Sequence, residues 1–126
     1  MKMERGIITI SENGAVAMPS APVWMTQQEM ADAFCVFGCD IRKTIHVIYR
    51  NNELLENDTM RYIRQTDWIS CDVYSLEVVI AVAFRLRSRE SLAFRRFVME
   101  RLYLRKEKPA CLFFSLPGYG KQTLCN

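Results

Sequence analysis

The chain has 126 residues, of which 50% are hydrophobic and 25% are charged, and its formal net charge is +3. This composition is typical of a globular domain with a modest core, and it excludes collagen-like and low-complexity chains. No apolar run approaches the roughly 18 residues that span a bilayer, and the N-terminal "MKMERGIITIS" lacks the apolar stretch of a secretory signal. We therefore expect a cytoplasmic protein without a membrane segment.

The cysteines give no indication of a disulfide framework or a metal site. Their number is odd and their spacing irregular, whereas secreted disulfide scaffolds carry even sets. Only Cys35 and Cys39 lie close together, and His46 is the single histidine, so the close ligand pairs of a zinc site are missing. We expect buried thiols, no metal and no cofactor.

The first predicted element is a β-hairpin in "GIITISENGAVAMP". Two apolar runs flank Asn13-Gly14, a pair typical of a two-residue turn in which both residues have positive φ. The next element is a helix from Gln27 to about Val36. Thr26 and Glu29 have the spacing of a capping box, in which each side chain accepts from a backbone N–H at the helix start. This helix should bury Met30, Ala31 and Phe34.

A second helix follows after the short segment "FGCD". We expect Gly38 to take the left-handed conformation that turns the chain, and Asp40 to be the helix N-cap. The 3.6-residue period places Ile41, Ile45, Ile48 and Tyr49 on an inward stripe. Polar and basic residues lie around the other side: Arg42, Lys43, His46 and Arg50. Two short helices joined by a tight turn predict a helix-turn-helix, whose second helix reads the DNA major groove.

The segment "NNELLEND" is predicted to be a loop, and "TMRYIRQTDWISCDVYS" a second hairpin. This hairpin is either a wing whose Arg61 and Arg64 reach DNA phosphates or an ordinary sheet edge. Ser75 is the expected N-cap of a deeply buried helix in "LEVVIAVAFRLR". A final helix covers "SLAFRRFVMERLYLRKEK" and ends before Pro109. Its inward residues should be Phe94, Phe97, Val98 and Leu102.

The pattern as a whole predicts the α+β class: an N-terminal β-hairpin, a helix-turn-helix, a second hairpin and two further core helices. We assign residues 1–108 to one winged-helix-like domain and leave the structure of the tail, 109–126, undefined. The tail's "GYGKQT" superficially resembles a phosphate loop. That motif needs an earlier glycine where this chain has Ser115, and a following helix for which no room remains, so we reject nucleotide binding.

Charge is distributed unevenly along the chain. Residues 1–60 hold five basic and eight acidic residues, a net charge of −3, and residues 61–126 hold twelve basic and six acidic residues, a net charge of +6. A basic half suits a polyanionic partner. The alternative is a solvated face on which Arg85, Arg87 and Arg89 pair with Glu77 or Glu90, contacts that are worth little.

Three segments, in the order "VWMTQQEMADAF", "NNELLEND" and "DVYSLEVVIAVAFRLRSRESLAFRRFVMERLY", resemble the RhuM-type virulence/DNA-binding family of bacteria. The resemblance covers residues 23–103 and implies a DNA-binding protein of a mobile element or genomic island, with no established enzymatic activity. Two departures lie in the turn. Family members usually carry glycine at the position of Cys35 and a serine-type cap at that of Phe37, so we expect Gly38 and Asp40 to take over these roles and to shift the start of the second helix.

The leading hypothesis is a regulatory protein that binds duplex DNA, expected as a homodimer on repeated half-sites. Base edges or phosphates would be contacted by Arg42, Lys43, His46 and Arg50, with Arg61 and Arg64 from the second hairpin. Gln27 and Gln28 at the start of the first helix would position the DNA backbone. The alternative is a protein-interaction module, such as an adaptor or a toxin-neutralising partner, with Phe113 and Phe114 as candidate contacts. No catalytic residues are assigned, because the chain offers no nucleophile–base pair.

Overall fold

Two small antiparallel sheets and five helices make up the part of the chain that the computed structural model describes, residues 4–64, 66 and 68–106. The strands are β1 (Thr9–Ile10), β2 (Val16–Ala17), β3 (Trp24–Met25), β4 (Met60–Arg64) and β5 (Ser70–Ser75). The helices are α1 (Gln27–Phe34), α2 (Gly38–Arg50), α3 (Glu56–Thr59), α4 (Leu76–Ala83) and α5 (Arg89–Lys106). The predicted α+β class is confirmed.

The chain divides into two units, Met1–Arg95 and Arg96–Asn126. Both sheets and α1 to α4 belong to the first unit, and the described part of the second unit is the helical segment 96–106. The boundary predicted at residue 108 and the tail with Phe113 and Phe114 lie outside the described residues. Within the described ranges, no helix combines the length and the apolar character needed to cross a membrane.

The N-terminal hairpin is present, but its turn differs from the predicted one. Strands β1 and β2 pair through Ile10 and Val16, and a three-residue loop joins Ser11 to Ala15. Only Gly14 in this loop has positive φ, at 89°. This is the arrangement of a type I turn followed by a left-handed glycine. The Ser11 hydroxyl accepts from the Ala15 N–H at 3.0 Å, a local bond that stabilises the longer loop.

Helix α1 begins as predicted, with the capping box formed in both directions. The Glu29 N–H donates to the Thr26 hydroxyl at 3.0 Å, and the Thr26 N–H donates to the Glu29 carboxylate at 2.8 Å. The expected inward residues Met30, Ala31 and Phe34 are all buried. The helix ends at Phe34, not near Val36, because the next residue leaves the helical conformation.

The turn between α1 and α2 corrects two expectations. Cys35, not Gly38, takes the left-handed conformation, with φ 54° and ψ 49°. The N–H groups of Cys35 and Val36 both donate to the Ala31 carbonyl, which closes α1 early and turns the chain at Cys35. Phe37 is therefore the N-cap of α2, and Asp40 lies inside its first turn. The expected shift of the α2 start beyond Phe37 is therefore wrong.

The second hairpin is confirmed and is part of a larger sheet. Strand β5 lies between β3 and β4 and is antiparallel to both. The pairing of Trp24 with Ser75 and of Met25 with Tyr74 connects the strand before α1 to the strand after the hairpin turn. This sheet therefore places the β4–β5 hairpin beside α1 and α2. The pairing had not been predicted, because it joins residues far apart in the sequence.

Helix α4 follows β5 directly, with Ser75 as its N-cap as predicted. The Ser75 hydroxyl donates to the Glu77 carboxylate at 2.7 Å and makes no bond to a backbone N–H of the helix. Four residues of α4 are fully buried: Val78, Val79, Val82 and Ala83. The helix packs against α2 and β5 and ends at Ala83, with Phe84 as its C-cap, earlier than the predicted Arg87.

Four further expectations need correction. The predicted loop "NNELLEND" contains α3, whose short turn is held by the Thr59 hydroxyl donating to the Leu55 carbonyl at 2.7 Å. Leu102 is exposed because no other described element of its unit covers it.

Cys35 and Cys39 are exposed free thiols because they lie in and just after the turn. Arg85 pairs with Glu53 instead of Glu77 or Glu90, since the loop after α2 lies against it.

Candidate nucleic-acid interface

Helix α2 has one buried face and one cationic face. Ile41, Ile45 and Ile48 are at most 4% exposed, as the apolar period predicted. Four side chains of the same helix are exposed to solvent: Arg42, Lys43, His46 and Arg50. The helical period that turns the isoleucines inward therefore also turns these polar side chains outward.

Within the part of the chain that the structure describes, the cations on the outer face of α2 have no acidic partner. Among the described residues, neither Arg42, Lys43 nor Arg50 forms an ion pair. Arginines elsewhere do so: Arg5 pairs with Glu29, Arg85 with Glu53 and Arg89 with Glu90. The positive charge of α2 is thus left available to a negatively charged partner.

The N-termini of α1 and α2 differ in whether a side chain accepts from their backbone N–H groups. Helix α1 is closed by the Thr26 and Glu29 capping box. Helix α2 begins after Phe37, which offers no side-chain acceptor and is 77% exposed. Free N–H groups and the positive end of the helix dipole favour a phosphate at such a terminus.

An open groove of about 660 Å³ lies between the starts of α1 and α2 and strand β5. Its lining comprises residues 26–29, Gly38, Cys39, Arg42, Cys71 and Asp72. The sequence predicted that the α1 and α2 residues lie near each other. It missed Cys71 and Asp72, because these reach the groove only through the pairing of β5 with β3.

The two glutamines at the start of α1 have different environments. Gln28 is exposed, and its amide donates to the Asp32 carboxylate at 2.9 Å on the same helix. Gln27 is half-buried and its amide donates to the Tyr74 hydroxyl at 3.3 Å. Burial raises the pKa of Tyr74, so this hydroxyl stays protonated at neutral pH. Gln27 therefore links α1 to the sheet, whereas Gln28 faces solvent.

The β4–β5 hairpin carries the remaining predicted contacts. Arg61 and Arg64 are both exposed, and the Arg61 guanidinium lies 4.8 Å from the centre of the Trp24 ring. The hairpin also exposes side chains that the sequence analysis had not assigned to the site. Trp68 is 93% exposed and Tyr62 71%. The sequence signal that could have pointed to this exposed side chain is a tryptophan next to the predicted hairpin turn.

Comparison of the chain with protein-family models, with curated proteins and with solved structures gives no match. Within the described ranges, no group of three or more His, Cys, Asp or Glu side chains is placed to hold a metal ion. The interpretation of this surface therefore depends on its own geometry and charge.

Proposed function

We propose that this protein is a regulatory protein of the RhuM type, from a bacterial mobile element or genomic island, that binds duplex DNA. Helix α2 enters the major groove, where Arg42, Lys43, His46 and Arg50 contact base edges and phosphates. Gln28 and the free N–H groups at the start of α2 hold a phosphate in the groove. Arg61 and Arg64 contact the DNA backbone from the hairpin, which acts as a wing.

The observation that carries the proposal is the set of unpaired cations on a helix whose other face is buried. Rows of basic side chains are commonly neutralised by neighbouring carboxylates on a protein's own surface. Here Arg42, Lys43 and Arg50 have no such partner among the described residues. Phosphate contacts are the main source of affinity in protein–DNA complexes, so unpaired cations on one exposed helix are the feature that DNA binding requires.

The turn supports the RhuM-type assignment. Its left-handed residue and its helix N-cap fall at Cys35 and Phe37. These are the positions at which the family resemblance places a glycine and a serine-type cap, the residues that such conformations favour. The backbone of this turn is therefore one that a glycine and a serine-type cap would favour at these two positions, although this chain carries other side chains there.

The test is binding of the full chain to a labelled duplex of about 30 base pairs from the region upstream of its gene, long enough for two half-sites. Binding is measured at about 50 mM and about 200 mM salt, over which phosphate contacts predict a steep loss of affinity. The double change Arg42→Ala, Lys43→Ala should weaken binding at least about tenfold and reduce the salt slope by about 2.

A matched control removes the same charge elsewhere. Arg87→Ala, Arg96→Ala also takes two cations from exposed positions outside the groove. This control should bind nearly as well as the parent. Equal binding by the parent and the Arg42→Ala, Lys43→Ala protein would contradict the placement of α2 in the major groove.

The alternative function is a protein-interaction module, favoured by the exposed apolar residues near the end of α5. Leu102, Tyr103 and Leu104 are 57–60% exposed, and exposed apolar side chains are a feature of contact surfaces. Salt separates the two functions, because an apolar interface responds little to ionic strength whereas phosphate contacts weaken strongly. A parent protein that does not bind DNA at about 50 mM salt would favour this alternative.

A further inference from the structure

Strand β4 forms one edge of the three-stranded sheet. It pairs with β5 on its inner side, and among the strands that the structure describes it has no neighbour on its outer side. Its central residue, Tyr62, is 71% exposed. An edge strand leaves alternate backbone N–H and C=O groups without a partner in its own sheet, and these groups pair readily with a strand of another chain. The outer edge of β4 is therefore a candidate surface for strand addition.

Opposite charges lie at the two ends of this edge. Helix α3, directly before β4, carries Glu56 and Asp58, and β4 itself carries Arg61 and Arg64. All four side chains are exposed, and none forms an ion pair in the described part of the chain. Asp72 lies on the central strand β5, away from the outer edge. Charged side chains on an edge strand restrict which strands can pair with it, and the arginines here favour a strand that brings carboxylates.

A second copy of this chain supplies such a strand. Antiparallel pairing of two β4 strands over all five residues places Tyr62 on the two-fold axis, opposite its own copy. Arg64 then lies opposite Met60 of the second copy, two residues from Asp58 of that copy. The symmetry repeats this contact, so the basic end of each strand meets the acidic end of the other. Opposite charges and aromatic pairs on neighbouring strands both stabilise a sheet.

The same pairing places the two α2 helices suitably for one partner. The axis that relates two antiparallel edge strands is perpendicular to the sheet, so each face of one sheet continues into the same face of the other. Tyr74 of β5 lies on the face that α2 contacts, since its ring centre is 6.4 Å from that of Tyr49 in α2. The α2 helices of both copies therefore lie on the same side of the joined sheet, as binding of two half-sites on one duplex requires.

We propose that two copies of this chain form a dimer through their β4 edges, in one continuous sheet with the strand order β3-β5-β4-β4-β5-β3. This dimer forms without DNA, so the inference goes beyond the proposed function and does not depend on it. Side chains of a strand project from the faces of a sheet and not from its edge. The pairing therefore does not cover Arg61, which lies over the ring of Trp24.

The test is sedimentation equilibrium of the full chain, free of nucleic acid, at about 50 mM salt, where surface charges are weakly screened. The parent should be dimeric at about 100 μM protein, a concentration at which a micromolar dimer is largely formed. Arg64→Glu and Asp58→Arg should each weaken the dimer about tenfold, because each places like charges at both symmetric contacts. A mixture of these two variants should associate as tightly as the parent, since both contacts in the mixed dimer again join opposite charges.

A matched pair of variants tests the surface independently of the ion pairs. Tyr62→Asp places two carboxylates opposite each other on the axis and should abolish the dimer. Leu102→Asp makes the same change at another exposed apolar side chain and should leave the dimer intact. Circular dichroism spectra equal to that of the parent show that both variants are folded.

Three results would overturn the β4 dimer: a parent that is monomeric at about 100 μM, a mixture that associates no better than its two variants alone, or a dimer that survives Tyr62→Asp and is lost with Leu102→Asp. DNA binding by a monomeric parent would overturn the dimer and leave the role of α2 standing. A dimer with these properties that does not bind the duplex would contradict the proposed function alone.

Discussion

Arg5 holds Glu29 through both of its terminal nitrogens, at 2.7 and 3.1 Å, and also donates to the Trp24 carbonyl at 2.8 Å. The same Glu29 carboxylate accepts from the Thr26 N–H in the capping box of α1. One guanidinium thus ties the N-terminal segment to β3 and to the start of the helix-turn-helix. Bidentate arginine–carboxylate pairs of this geometry are stronger than single-contact pairs.

Arg5→Ala should lower the free energy of unfolding by about 1–2 kcal/mol, because charged hydrogen bonds at a partly buried site are lost. Urea denaturation measures this. Arg85→Ala is the comparison, since its ion pair with Glu53 is more exposed and should contribute much less to stability. A loss for Arg85→Ala as large as that for Arg5→Ala would show that the N-terminal link has no special role.

Acid should weaken the protein through Glu29. Burial acts to raise the pKa of Glu29, but the hydrogen bond from Arg5, the hydrogen bonds at Thr26 and the charge of Arg5 outweigh it, so the pKa is lowered. A lowered pKa means that the contribution to stability is complete above the unfolded value of about 4.3 and is lost as pH falls through the folded value. The measurement is the unfolding free energy between about pH 7 and about pH 3.

Glu29→Gln is the matched variant for this titration, because glutamine can keep the capping-box contact without the charge. The parent should be more stable than Glu29→Gln near neutral pH, and the difference should shrink as the pH drops below about 4. A difference that stays constant over the whole range would contradict the assignment to the Glu29 carboxylate.

Cys35→Gly should stabilise the protein by roughly 0.5–1 kcal/mol, because glycine relieves the left-handed strain of a side-chain-bearing residue. Cys35 is exposed, so the change removes little packing. Cys35→Ala keeps the Cβ atom and should give no such gain. Thermal unfolding of the three proteins compares them, and equal stability of the glycine and alanine variants would remove backbone strain as the explanation.

Phe37→Ser should also stabilise, by about 1 kcal/mol, because a serine at the N-cap accepts from a first-turn N–H that now lacks a side-chain partner. Phe37 is 77% exposed, so removing its ring costs little burial. Phe37→Ala supplies no acceptor and is the control. If alanine stabilises α2 as much as serine does, the gain comes from removing the exposed ring and not from capping.

Patterns within short stretches of sequence were sufficient to predict the two helices of the site, α1 and α2. Thr26 and Glu29 fixed the start of α1 because a capping box needs only neighbouring residues, and the isoleucine period gave the two faces of α2. The sequence misplaced the turn between them because Cys35 adopts a left-handed conformation that its side chain does not favour, and because Phe37 is an N-cap without a side-chain acceptor. Rules based on residue preference assign these two roles to glycine and to polar residues, which here are Gly38 and Asp40.

Contacts between residues far apart in the sequence were the other feature that could not be predicted. Cys71 and Asp72 reach the groove through the pairing of β5 with β3, and no short window of sequence contains both strands. Trp68 was predicted as part of the second hairpin, and the sequence pattern did not show whether its side chain is buried or exposed. Its exposure follows from the turn around Thr66, which depends on hydrogen bonds that the pattern does not encode.

Strand β5 runs into α4 without an intervening residue, since Ser75 ends the one and caps the other. The hairpin consequently has no hinge at its base, and the helix it continues into is anchored by fully buried valines. The β5 end of the hairpin is therefore held by the buried helix that follows it, so a partner must accept the position of this end as it stands.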